Sequence, residues 1–221
     1  MGISAILLAD SRFPGGGHVH SGGLEEAVAR GLIRTTADLP GFLRGRLWTA
    51  GYLAAVFASA SVGSGQWTRL DEELDARTPS PAQRAASRAQ GRGTARAGRI
   101  AWPSPVIDEL LAATPRPHHP IITGALTGVS GGTPRDAALA VGYLAVSGPA
   151  SAAVRLLGFD PFTVNAMVAA LGPDLEAVAE QAAGYSGTDP ARLPSPGSPA
   201  LDLLAEAHVR HHEEEVRLFA S

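Results

Sequence analysis

The sequence predicts an all-α protein, a single-domain bundle of about ten helices. Hydrophobic residues make up 45% of the 221 residues but aromatic residues only 5%, so the core must consist mainly of Ala, Leu and Val. Ala and Leu are strong helix formers, and in most segments the apolar residues recur at three- and four-residue intervals. Runs of β-branched residues are short and do not alternate with polar residues, so no strand is predicted.

Three helices are predicted in the first part of the chain, and a glycine-rich loop separates the first two. Residues 3–9 form a short apolar helix. Residues 22–30 form the second, with Ser21 as its N-cap and acidic residues in its first turns, where the helix dipole favours them. Thr36 is expected to cap a third helix that runs to about Val62, because its large apolar residues recur at helical spacing.

Proline-containing stretches divide the middle of the chain, because proline tends to begin or end a helix. The helices predicted between them span residues 67–77, 82–100, 106–113 and 121–129. The second of these is rich in Ala and Arg and contains Gly91 and Gly93, each of which lowers helix stability by about 1 kcal/mol relative to Ala. Their presence suggests that another segment of the chain packs closely against this helix.

The C-terminal part of the chain contains the remaining predicted helices, at residues 134–157, 162–171, 174–183 and 200–219. The first of them is mostly apolar, and the pair Gly148-Pro149 is expected to kink it or split it in two. Residues 184–199 are rich in Gly, Pro and Ser and are expected to form a mobile loop. The whole chain, residues 1–221, is predicted to form one domain.

Composition predicts a soluble, cytoplasmic protein. The chain has no cysteine, which excludes disulfides and cysteine-ligated metal sites. No apolar run approaches the ~18–20 residues of a membrane span, and the apolar start of the chain lacks the basic residues of a signal peptide. The formal net charge of −3 gives no general attraction to nucleic acid. Neither a membrane nor a nucleic acid is predicted as a partner.

The glycine-rich loop at residues 10–26 does not fit a nucleotide site. A P-loop needs a lysine after its last glycine, and this chain contains no lysine, since its 18 basic residues are all arginines. A dinucleotide fingerprint needs a preceding strand. The sequence also lacks a serine nucleophile elbow and a His-Glu-x-x-His zinc motif. These features predict a binding or assembly role, with no catalytic residue, no cofactor and no dedicated metal site.

Histidines offer an alternative chemistry. His208 and His212 lie four residues apart on one predicted helical face with His211 beside them. In the loop, one residue separates His18 from His20. Each set can reach a borderline metal ion if further ligands lie nearby. The competing interpretation is a solvated polar helix and a hydrogen-bonded loop.

Arginines recur every four residues at positions 84, 88, 92 and 96, which predicts a basic stripe along one helix. Such a stripe can bind an acidic partner or phosphates. Alternatively, it pairs with the acidic residues of the preceding helix, within residues 71–75. No aromatic residue lies between the arginines to stack on bases, which argues against nucleic acid.

Four motifs, in order, resemble those of the urease accessory protein UreF family and together cover essentially the whole chain. They are residues 7–25 (LLADSRFPGGGHVHSGGLE), residues 87–92 (SRAQGR), residues 119–124 (HPIITG) with 152–157 (AAVRLL), and residues 199–202 (PALD) with His211 and residues 217–221 (RLFAS). The chain departs from the family pattern in two places. Gly158-Phe159-Asp160 stands where the family has a Gly-Gln pair, and Ala220 replaces a basic residue.

The resemblance implies an all-helical, dimeric and non-catalytic protein. UreF proteins bridge the scaffold UreD (also called UreH) and the nickel-carrying GTPase UreG, and the complex inserts nickel into apo-urease. The resemblance also implies that the N-terminal region and the C-terminal tail contact the scaffold. The residues expected to bind partners are Phe13, Pro14, Gly16, His20, Ser21, Glu25, Arg88, Arg92, Arg155, His211, Arg217, Leu218 and Phe219. The alternative is a carrier that itself holds nickel through the histidines named above.

Overall fold

The computed structural model describes residues 2–15 and 20–211, and all regular structure within these residues is helical. A π-helical turn at Leu47–Gly51 joins the helices Leu39–Arg46 and Tyr52–Ser61 into one continuous helix, and a 3-10 turn lies at Pro190–Arg192. The predicted all-α, single-domain bundle is confirmed. The α-helices are α1 (Ile3–Ala9), α2 (Leu24–Ala29), α3 (Leu39–Arg46), α4 (Tyr52–Ser61), α5 (Trp67–Ala76), α6 (Pro81–Ala101), α7 (Pro105–Ala113), α8 (His119–Val129), α9 (Pro134–Leu157), α10 (Pro161–Ala170), α11 (Gly172–Ala183) and α12 (Pro199–His211).

Helix α9 forms the centre of the bundle and packs against α4, α8 and α11. A capping box begins it, because the Thr133 N–H donates to Asp136 Oδ2 (3.0 Å) while the Asp136 N–H donates to Thr133 Oγ1 (3.2 Å). Contrary to the sequence expectation, α9 is long and apolar enough to cross a membrane by length and composition alone. Its most apolar window is 56% buried inside the protein, which is also typical of a core helix.

Pro149 lies inside α9 without dividing the helix. Proline has no N–H, so the carbonyl of Ala145, four residues earlier, lacks its helical donor. Arg46 Nε donates to Ala145 O at 2.9 Å and replaces that hydrogen bond. The predicted split of this helix at Gly148-Pro149 is therefore wrong, because a side chain from a distant part of the sequence completes the helix. The kink, which is the alternative to the split, stays a prediction.

Two predicted helix caps are wrong. Helix α2 begins after Gly23, which has a left-handed φ of 90° and no side chain, while Ser21 Oγ accepts only a long bond of 3.4 Å from the Glu25 N–H. Helix α3 begins after Asp38 rather than Thr36. The Asp38 carboxylate accepts hydrogen bonds from the backbone N–H groups of Arg34 and Thr35 and so folds residues 34–38 into a turn.

The close approach predicted at the glycines of α6 is confirmed. A Cβ at Gly91 would lie 1.9 Å from the carbonyl oxygen of Pro117, and one at Gly93 would lie 3.0 Å from the carbonyl oxygen of Gly15. The backbone of α6 therefore touches the segment before α8 on one side and the N-terminal loop on the other. Larger residues at these positions would push both segments away.

Residues 184–199 contact helix α5. Arg77 Nε donates to Leu193 O at 3.3 Å, and Arg69 forms an ion pair with Asp189 at 2.8 Å. Pro190 and Leu193 are buried. The mobility expected for this segment stays a prediction.

Candidate functional site

The first half of the glycine-rich loop packs on α6. Phe13 stacks on Trp102 with ring centroids 6.3 Å apart, and Pro14 is exposed beside it. Gly15 is buried, and a Cβ there would lie 2.7 Å from Thr94 Oγ1. Gly16, another predicted partner-binding residue, lies outside the described residues.

The second half of the loop returns to the centre of the bundle through Arg46. His20 and Ser21 are buried. Gly22 has a φ of 65°, and its carbonyl accepts a hydrogen bond from Arg46 Nη1 at 2.8 Å. Burial lowers the pKa of Arg46 to about 10, which still leaves the guanidinium charged at neutral pH. Arg46 thus joins the loop to Ala145 of α9, a link that no local sequence signal indicates.

Helices α2 and α12 meet at Glu26, which is only 1% exposed. Its carboxylate accepts from Arg30 Nε at 2.7 Å and pairs with His211 Nδ1 at 3.1 Å. Burial raises the pKa of Glu26, but the bonds from Arg30 and His211 outweigh this, and the net pKa lies below its ordinary value. His211 therefore has a contact within the protein itself. Glu25, the neighbouring predicted partner-binding residue, is partly buried in the first turn of α2.

The predicted tail residues Arg217, Leu218 and Phe219 lie outside the described residues, as do His18 and His212 of the histidine sets. Of the α12 set, His208 is buried and His211 pairs with Glu26. The nickel-carrier alternative therefore stays a prediction.

A partly buried ionic cluster joins α5, α6 and the start of α8, and we call it the α5–α8 junction (Asp71, Asp75, Ser87, Arg88 and His118). Arg88 Nη2 donates to Asp71 Oδ2 and to Asp75 Oδ2, each at 2.7 Å. The backbone N–H of His118 donates to Asp71 Oδ1 at 2.9 Å. For Arg88, pairing with the preceding acidic helix is thus what the structure shows.

Protonation in the junction follows from its burial. Burial lowers the pKa of His118 despite the neighbouring carboxylates, so the imidazole is neutral near pH 7. Burial raises the pKa of Asp75, but the hydrogen bonds from His118 and Arg88 lower it by a larger amount, so the net pKa lies below its ordinary value. The neutral imidazole then donates from Nε2 to Asp75 (2.8 Å) and accepts at Nδ1 from the Ser87 hydroxyl (3.0 Å).

The junction also contains the three groups in the described ranges that stand close enough together to hold a metal ion. Ligand atoms of Asp71, Asp75 and His118 lie within 4.8 Å of one another. Arg88 already donates to both carboxylates, and a cation in that position would have to displace the guanidinium. The arrangement is therefore that of a structural salt bridge.

Beyond Arg88, the arginine stripe is exposed. Arg92 and Arg96 form no ion pair with any residue in the described parts of the chain, whereas Arg99 pairs with Asp108 at 2.9 Å on the surface. Arg155, the predicted partner-binding residue of α9, is exposed in the last turn of that helix.

A cleft of about 1080 Å³ brings several predicted partner-binding residues together. It is bordered by the N-terminal loop, α6, α9 and α12, and its lining includes Phe13, His20 and Arg155. Arg88 and Arg92 do not line it. The predicted residues therefore fall on two separate parts of the molecule.

Sequence comparison with known proteins identifies the family of this chain. The UreF family profile matches residues 33–172. A protein of Mycobacterium sp. strain JLS named urease accessory protein UreF is 47% identical over 218 residues, which cover 98% of this chain and 97% of that protein. This chain belongs to the UreF family. Proteins of the same name from Mycolicibacterium vanbaalenii (45% identical) and Mycobacterium tuberculosis (42% identical) also match 98% of this chain and 97% of their own length.

As a member of the UreF family, the protein is a urease accessory protein with a role in urease maturation, and it is not an enzyme. Contact of the predicted residues with partner proteins stays a prediction.

Proposed function

We propose that this protein is a non-catalytic adaptor in the cytoplasm that bridges the UreD (UreH) scaffold and the UreG GTPase during nickel insertion into apo-urease. The observation that carries the proposal is the similarity over nearly the full length to proteins named urease accessory protein UreF. GTP hydrolysis is then the work of the GTPase, in line with a sequence that has no lysine for a P-loop.

The exposed surface supports a role in assembly. Phe162 is 84% exposed on α10, a helix without a charged side chain. Ala166, Ala169 and Ala170 of α10 are exposed as well, and contiguous apolar surface of this kind often marks protein interfaces. We propose that the protein forms a homodimer, and light scattering of the purified chain over a concentration series tests this.

Reconstitution with purified partners tests the bridging function. We expect this chain, scaffold and GTPase to elute together as one complex, and we expect apo-urease to gain activity with nickel, bicarbonate and GTP only when all three proteins are present. A mixture that omits this chain is the control. If scaffold and GTPase associate and activate apo-urease equally well without it, the bridging function is wrong.

The C-terminal tail gives a second test. Removal of residues 217–221, which include Arg217, Leu218 and Phe219, is expected to weaken binding to the scaffold while the helical circular dichroism signal stays unchanged. The apolar side chains of Leu218 and Phe219 gain from burial against a partner, which explains this expectation. An unchanged scaffold affinity would refute the proposed role of the tail.

A further inference from the structure

A groove between α6 and α7 carries both charge and apolar surface. Its volume is about 600 Å³. Arg92, Arg96 and Ile100 follow one another at four-residue intervals along its α6 wall, while Leu111 and Pro115 form the opposite wall. Ile100 is 80% exposed, although an isoleucine is ordinarily buried.

The α5–α8 junction holds the two walls in place. Arg88 Nη1 donates to the carbonyl oxygen of Arg116 at 2.6 Å. Gly91 lets the backbone of α6 touch Pro117 without a side chain between them. Both contacts fix the segment that contains Pro115 against α6, so the groove exists before any partner binds, which reduces the entropy lost on binding.

Part of the positive charge of the groove is uncompensated, because Arg99, which also lines it, pairs with Asp108 while Arg92 and Arg96 have no such partner among the described residues. The protein as a whole has a net charge of −3. Within the described ranges, however, no carboxylate pairs with Arg92 or Arg96, and Asp71 and Asp75 of α5 already pair with Arg88. Two free guanidinium groups beside an exposed isoleucine match a ligand that is both anionic and apolar.

We propose that this groove binds an acidic amphipathic helix of a protein partner in urease maturation. The inference rests on the proposed function and adds the chemistry of one contact. Helix α6 rises 1.5 Å per residue, so Arg92 and Arg96 are about 6 Å apart along its axis and Ile100 is about 6 Å further on. A partner helix alongside α6 meets the arginines with carboxylates one turn apart and covers Ile100 and Leu111 with an apolar side chain.

The apolar half distinguishes this ligand from a polyanion. A phosphate chain or nucleic acid gains nothing from Ile100 or Leu111, and the row formed by Arg92, Arg96 and Ile100 offers no aromatic ring for base stacking. Arginine forms bidentate hydrogen bonds with carboxylates as well as with phosphates, so an acidic helix satisfies the charged half of the groove too. The observations therefore favour a protein helix.

The first test measures binding of the full-length protein to the purified scaffold and to the purified GTPase. Arg92→Glu/Arg96→Glu is expected to weaken binding of one partner by about tenfold or more, because attraction becomes repulsion at two positions. Arg192→Glu is the matched control, since Arg192 is also exposed and has no ion pair within the described ranges. It should leave both affinities unchanged.

The second test examines the apolar half and the identity of the contact. Ile100→Ser should weaken binding of the same partner without altering the salt dependence of the dissociation constant. The Arg92→Glu/Arg96→Glu variant should lose most of that salt dependence. A photo-crosslinking side chain in place of Leu111 should label a helical peptide of that partner with Asp or Glu at positions i and i+4.

Several results would overturn the proposal. Wild-type affinity of the double variant for both partners, a crosslink to a second copy of this chain, or a crosslink to a peptide without paired acids would each do so. Duplex DNA binding that the double variant abolishes while partner affinities stay unchanged would also do so. If the wild-type chain binds neither partner, the bridging function itself fails, and the groove proposal fails with it.

Discussion

Helix α6 contains two halves that look alike in sequence and differ in the structure. Its arginines recur every four residues, yet Arg88 is partly buried and paired in the α5–α8 junction while Arg92 and Arg96 are exposed. The difference comes from α5, which presents Asp71 and Asp75 one turn apart to Arg88 and nothing to the next two arginines. Whether an arginine of α6 is paired or exposed thus depends on the side chains of the helix opposite it.

Gly91 lies at the boundary between these halves. On its N-terminal side α6 packs against the segment before α8, and on its C-terminal side the helix turns its arginines to solvent. On the arginine face of α6, Arg88 therefore contributes to stability, whereas Arg92 and Arg96 are available for binding. The other face of the C-terminal half is buried in the core at Thr94, Ala95 and Gly98. The predictions below test that division.

The largest effect is expected at Arg88. Arg88→Ala leaves the buried carboxylate of Asp71 without its cation, which should lower the free energy of unfolding by about 3 kcal/mol. Urea unfolding followed by circular dichroism measures it. A loss below about 1 kcal/mol would show that the junction is no more important for stability than an ordinary surface ion pair.

The pH dependence of stability gives the next effect. Burial, and then the charge of nearby His20, lower the pKa of His119 from 6.5 to about 4. Between these values the unfolded chain binds a proton that the folded chain does not, so the free energy of unfolding should fall as pH drops from 6.5 to 4. The shift corresponds to a loss of at most about 3 kcal/mol, to which the lowered pKa of His118 adds in the same direction.

His119→Gln isolates this contribution. The variant should lose less stability than the wild type between pH 7 and pH 5, measured by urea unfolding at both values. An NMR titration of the wild type should find His119 still neutral at pH 5. Equal losses in both proteins, together with a His119 that titrates near pH 6.5, would contradict the prediction.

How far the sequence predicted these features depends on the distance over which the contacts act. The helices follow from local patterns, because apolar spacing and proline positions are properties of neighbouring residues. The intact α9 does not, since Arg46 reaches Ala145 from 99 residues away. The predicted cap at Thr36 is wrong because the Asp38 carboxylate accepts hydrogen bonds from the backbone N–H groups of Arg34 and Thr35 and the helix begins after Asp38.

The candidate site shows the same limit. Periodicity identified the arginine stripe and left open whether it is paired or free, and the structure divides it between the two. The role of His118 could not be predicted, because its partner Asp75 lies 43 residues earlier. Contacts with other proteins depend on chains that this sequence does not contain, so partner binding stays a prediction.

A smaller effect is expected at the boundary of the two halves. Gly91→Ala places a methyl group against Pro117 O, and the backbones must separate, which should lower the free energy of unfolding by about 2 kcal/mol. Gly45→Ala is the control, because its Cβ meets nothing within 4 Å. That substitution in a helix should stabilise the protein by up to about 1 kcal/mol. Equal effects of both substitutions would mean that the close contact is unimportant.

The smallest effect on stability is expected in the exposed half. Arg96→Ala should change the free energy of unfolding by less than about 0.5 kcal/mol, because the guanidinium has no ion-pair partner among the described residues and is already in water. Urea unfolding in parallel with Arg88→Ala measures the contrast. A loss above about 1 kcal/mol would place Arg96 in the structural half and erase the division. If the loss stays small while binding to a partner weakens, then the charge at this position serves the assembled complex and not the folded chain.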